Sequence, residues 1–160
     1  MHFLLPRLLL AFSVIGLAAP DPASGQFGPF AFGFRNLAFG SLLPGVPESV
    51  SPADGSRSGR FVVFGLRRAE VRIDFSLPAA LAGAGGENLA LQFGPTDGGF
   101  STTPAAASMV VFDPRVPLVT RLGNNGLLYL WLGGTALPSG QQRAGNYSAT
   151  ITITVAYTGS

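Results

Sequence analysis

The chain has no cysteine and no lysine, and its one histidine is His2. Without cysteine there is neither a disulfide framework nor thiolate chemistry. Without lysine there is no amine for Schiff-base catalysis. Charge is scarce too: only 11% of residues are Asp, Glu, Lys or Arg, and all ten basic residues are arginine. The arginines are scattered and the net charge is +2. That is not the concentrated basic footprint of a nucleic-acid binder, so no nucleic-acid partner is expected. After the first 19 residues no long apolar run occurs, so no membrane span is expected in the mature chain.

What the chain does hold is 47% hydrophobic residues, 22 glycines and 13 prolines over 160 positions. So many apolar residues with so little charge argue against disorder. The length suits one domain with a real core. Abundant Gly and Pro beside β-branched and aromatic residues predict short strands and many turns.

"MHFLLPRLLLAFSVIGLAAPDPASG", residues 1–25, reads as a cleavable signal peptide. Arg7 supplies the basic n-region, and the apolar run Leu8 to Ala19 is too short to span a bilayer. Ala23 and Gly25 sit at −3 and −1 for a cut before Gln26, and a cut after Ala19 is the alternative. The other reading, an N-terminal core helix, is opposed by Pro20 and Pro22. Export places the mature chain in the periplasm, on the cell surface or outside the cell.

Cleavage removes His2 and leaves a mature chain without histidine, cysteine or lysine. A serine nucleophile then lacks its usual base, and zinc lacks its usual ligands. A carboxylate pair could still act, from Glu48, Asp54, Glu70, Asp74, Glu87, Asp97 and Asp113. Most of these stand in turn sequences, where Asp bonds nearby backbone. Glu70, Arg72 and Asp74 alternate along one strand face as a solvated charge ladder. No calcium-loop pattern occurs; "DGG" (97–99) and "GGEN" (85–88) read as turns. The sequence therefore assigns no catalytic residue, no cofactor-binding residue, no metal ligand and no cofactor, and the expectation is that the protein is not an enzyme.

Period-two alternation is the main structural signal. In "NYSATITITVAY" the apolar set Tyr147, Ala149, Ile151, Ile153, Val155, Tyr157 alternates with hydroxyl-bearing residues, predicting one long half-buried strand. In "AEVRIDFSL", Val71, Ile73, Phe75 and Leu77 form the inward set. "GLLYLWLGG" (126–134) is apolar on both faces and predicts a strand covered on both sides, ended by Gly133 and Gly134. Within it, Tyr129 and Trp131 share a face, as core packing or as a sugar platform. Shorter strands are expected at 36–40, 60–65, 88–93, 109–112 and 118–122, with a helical turn in 103–109. "GNNG" (123–126) predicts a tight hairpin. The fold class expected is all-β: an antiparallel β-sandwich, Ig-like or pilin-like.

The C-terminal third, "LYLWLGGTALPSGQQRAGNYSATITITVAY", resembles the signature of the bacterial domain of unknown function 4402. The matching positions are Gly133, Gly134, Thr135, Pro138, Gln141 or Gln142, Ala144, Gly145, Tyr147, Val155 and Tyr157, with Leu37, Phe39 and Gly40 at the opening. Spore coat protein U-like and pilin-like domains are related groups. The resemblance covers about 37–160 and implies an exported β-sandwich of surface or fimbria-like structures, with no enzyme activity and no known site. Many fimbrial subunits carry a disulfide, which this chain lacks. Tyr147, at the entrance to the last strand, fits a tyrosine-corner role.

"FGPFAFGF" (27–34) carries four phenylalanines. Burying one is worth about 1.5–3 kcal/mol, so four rival a domain's net stability of about 5–15 kcal/mol. The stripe is therefore expected to be buried. Either the segment 26–36 is the protein's own first strand, the favoured reading, or it is donated to a neighbouring subunit's groove by β-augmentation. The division expected is a signal peptide at 1–25, this Phe/Gly-rich segment at 26–36, and a β-sandwich domain at 37–160. The expected role is an exported structural or adhesive cell-surface component, fimbria-like or coat-like. A secreted module that binds a surface glycan or protein is the alternative. Partners are then the chain itself or related subunits by strand donation.

Overall fold

The regular structure of the chain is almost entirely antiparallel strand. In the computed structural model residues 28–159 are described. The signal peptide expected at 1–25, and Phe27 with it, lie outside them. Sheet A runs in the order β1 (Phe30–Arg35), β3 (Gly59–Phe64), β10 (Leu127–Leu132), β7 (Gly98–Ser101), β8 (Val110–Phe112). Sheet B runs β12 (Tyr147–Ser148), β5 (Ala80–Gly83), β6 (Asn88–Gln92), β11 (Gly134–Leu137), β2 (Glu48–Val50). Sheet C has three strands, β13 (Thr152–Tyr157), β4 (Glu70–Ser76) and β9 (Leu118–Arg121). A 3-10 turn, Ala106–Ser108, lies where the sequence predicts a helical turn.

Side-chain alternation decides what each sheet buries. Val71 and Ile73 of β4 point inward, while Glu70, Arg72 and Asp74 stay out, as their spacing predicts. The inward set meets Val63 of β3 and Leu128 and Leu130 of β10 in one cluster shared by sheets A and C. Ile153 and Val155 of β13 close it from the edge. β10 sits between β3 and β7 and has four of its six residues buried, so the strand that is apolar on both faces takes the centre of its sheet. A second cluster joins Phe39 to Val50, Leu89 and Ala136 of sheet B.

Four expectations differ in detail. The 147–157 alternation is not one strand. β12 pairs with β5, β13 pairs with β4, and residues 149–151 belong to neither. Pro78 stands between β4 and β5 and offers no N–H, so the ladder breaks there. "GNNG" does form a tight turn, with Gly126 N–H on the Gly123 carbonyl at 2.9 Å. Yet it links β9 of sheet C to β10 of sheet A, not two paired strands. Gly133 ends β10 as expected, but Gly134 opens β11, so the chain switches from sheet A to sheet B at Gly133. A Cβ there would lie 2.2 Å from the Val50 carbonyl oxygen, so only glycine lets the backbones come this close. Residues 36–40 form no strand; instead Phe39 plugs the second cluster.

Candidate interaction surface

β1 pairs with β3 so that Phe30 lies opposite Phe64, Ala31 opposite Val63, and Phe32 opposite Val62. Ala31 packs against the core cluster. Phe30 and Phe32 must then face away from sheet C. The register shifts between Gly33 and Arg35, and the residue between them, Phe34, also stands in solvent. Their exposures are 58%, 55% and 60%, so the burial expected for this stripe does not occur within the chain. The inward position goes to Ala31, while Gly33, itself exposed, lies opposite Phe61 with ordinary contact distance to its ring.

The segment is nevertheless fixed to its own chain. Arg35 donates from Nε to the Ser58 carbonyl at 2.8 Å and from Nη2 to Ser58 Oγ at 3.1 Å. It also reaches the carbonyls of Gly55 and Asp54. Aromatic contacts order the outer face: Phe30 stacks on Phe64 at 4.9 Å, and Phe32 meets Phe34 edge-on at 5.2 Å.

Trp131 shares this outer face but is only 2% exposed. The sequence leaves core packing and an open sugar platform as alternatives, and the burial decides for packing. The Arg60 guanidinium lies 5.9 Å above the indole ring. Met109 fills the space over Gly99, the residue opposite Trp131 on β7. The Trp131 indole N–H and Arg60 Nε are buried and have no hydrogen-bond partner among the described residues. Tyr129 is half-buried beside Trp131, with ring centroids 6.4 Å apart.

A second concavity, about 920 Å³, runs between residues 36–44 and 142–151 over Phe39, Leu81 and Leu89. Tyr147 forms part of its wall. Its hydroxyl donates to the Arg143 carbonyl at 2.7 Å and accepts from Gln142 Nε2 at 2.9 Å. That is the loop-returning hydroxyl expected of a tyrosine corner.

The carboxylates are engaged in turns and ion pairs. Asp54 accepts from the Ser56 and Arg57 N–H groups at 2.8 and 2.9 Å and from Arg57 Nε at 2.9 Å. These hydrogen bonds, the backbone ones first, hold its carboxyl well below the ordinary range. The Arg115 guanidinium, then its N–H, lowers Asp113 to about 2. Asp97 accepts from the Gly94 N–H at 2.6 Å. Arg72 pairs with Asp74 at 2.9 Å, Arg121 with Glu70 at 3.9 Å, and Arg143 with Glu87 at 3.2 Å. Glu48 meets Arg57. Arg67 and Arg68 lie in a bend, where Arg68 adopts φ +59°. Among the described residues no group of three His, Asp or Glu side chains is placed to hold a metal ion. No described helix is long and apolar enough to cross a membrane.

What the sequence missed is the direction of the stripe. Ala31 between Phe30 and Phe32 is the signal: a small residue there marks the face packed on the core. No family model matches the chain, and no curated protein matches it.

Proposed function

We propose that this protein is an exported, non-enzymatic component of the cell surface that acts by contact, as a structural or adhesive subunit. Its two main layers, sheets A and C about a shared core, are read as an antiparallel β-sandwich of the Ig-like or pilin-like kind. The observation that carries the reading is the outer face of sheet A, where Phe30, Phe32 and Phe34 stand exposed side by side. Large apolar patches on folded proteins mark contact sites. The n-region and apolar run at 1–25 support export. Turn and ion-pair roles for the carboxylates support a non-catalytic chain, and the residues that resemble the domain of unknown function 4402 agree with a surface role. The groove over Phe39, Leu81 and Leu89 favours a second reading, a secreted module that binds a glycan or a peptide there.

Fractionation of the native cells with N-terminal sequencing of the recovered chain tests export. The expected result is surface or periplasmic material beginning at Gln26 or Pro20. Cytosolic protein still starting at Met1 contradicts it.

A further inference from the structure

β1 is an edge strand. β3 pairs with one side of it, and among the described residues nothing hydrogen-bonds the other. β13, which packs against β1 in the layer below, is also an edge strand of its sheet. The two layers therefore end together on one side of the molecule. The residues these two strands give to the core, Ala31, Ile153, Val155 and Tyr157, are partly buried.

Folded proteins guard such edges with charge, usually lysine. Among the described residues this edge presents no outward charge, although Pro29 precedes β1 and the ladder shifts register between Gly33 and Arg35. β1 reads Phe-Ala-Phe-Gly-Phe before its one charge, and β13 carries none. That one charge, Arg35, is turned inward onto Asp54, Gly55 and Ser58 and cannot repel an incoming strand.

We propose that the occupant of this edge is a second copy of the chain, joined by antiparallel pairing of β1 with β1 about a two-fold axis. The proposal rests on the reading of the sheet A outer face as a contact surface. An antiparallel edge is self-complementary, so one patch serves both partners. Pairing continues sheet A across the axis and brings two phenylalanine stripes side by side, as cross-strand aromatic neighbours. The area is adequate. At 55–60% exposure, three phenylalanines of about 150–250 Å² each offer roughly 250–450 Å². That is about a third to a half of the ~800 Å² each partner of a stable interface buries. The β1 main chain and the open flank of β13 supply the rest. The opposite edge, β8, is three residues long, and its exposed apolar residues are Val110 and Val111, with no aromatic ring among them.

Sedimentation equilibrium of the purified chain tests this. A reversible monomer–dimer equilibrium is expected. Phe32→Arg should raise the dimer dissociation constant by at least about 30-fold, with the native emission of Trp131 unchanged as the check on folding. Val111→Arg, on the β8 edge, should leave it unchanged. Because the chain lacks cysteine, single cysteines placed in turn at 30–34 report register. Disulfide dimers should peak at one position and decline on both sides. A chain that stays monomeric to its solubility limit overturns the pairing. So does a dimer indifferent to Phe32→Arg or broken by Val111→Arg. A monomer still found on the cell surface overturns the pairing alone and leaves the surface role standing.

Discussion

Asp54 takes four hydrogen bonds on one carboxylate, three of them on Oδ1. Its low pKa, and that of Asp113 at about 2, have a direct consequence for stability. In the unfolded chain both titrate near 3.9. Between that value and the folded one the unfolded state binds more protons, so stability rises with pH. The contribution is complete above about pH 4 and is lost as pH falls through about 2. Melting temperature against pH should fall over that interval, and Asp54→Asn with Asp113→Asn should flatten the slope. A slope that survives both changes shows the titrating groups to be elsewhere. Glycine supplies a second residue-scale test. Gly133→Ala drives a Cβ into the Val50 carbonyl and should cost at least about 1–3 kcal/mol. Gly140→Ala meets nothing within 4 Å and should stay within about 0.5 kcal/mol. Urea midpoints of the two separate them. The turn role of the aspartates was legible in the sequence because an Asx turn is local. The collision at Gly133 was not, because Val50 comes from 83 residues earlier in the chain.

Among the elements, β4 and β10 were readable because their alternation or its absence reflects how many faces are covered. The 147–157 segment shows the limit of that reasoning. Its period is perfect, but Pro78 separates its two partner strands β4 and β5, so pairing stops and two sheets share the segment. Tyr147 ties the corner, and Tyr147→Phe removes two hydrogen bonds of about 0.5–1.5 kcal/mol each. A loss of about 1–2 kcal/mol in urea unfolding is the expected result, and no change would show that water replaces both bonds without loss. β1 was legible as a strand, but its facing was not. Phenylalanine spacing alone fits either orientation, and the packing of Ala31 against the core decides which. The same packing implies that Leu130→Ala, in the centre of sheet A, costs about 2–5 kcal/mol, whereas Phe34→Ser, at an exposed position, leaves the melting temperature of the dilute protein almost unchanged.

At the scale of the whole molecule, the edge strands β1 and β13 lie together on one flank, and that flank carries the aromatic stripe. All-β architecture followed from composition and period. Which strands became edges did not, because edge status depends on pairings between segments far apart in sequence, such as β1 with β3 and β13 with β4. The contact role can be read in place by hydroxyl-radical footprinting of the phenylalanines, on the dilute purified chain and on intact native cells. Phe30, Phe32 and Phe34 should label strongly in the dilute protein and be protected on the cells, while buried Trp131 labels weakly in both. Equal labelling of the three phenylalanines in the two states would contradict a protein that works through that face.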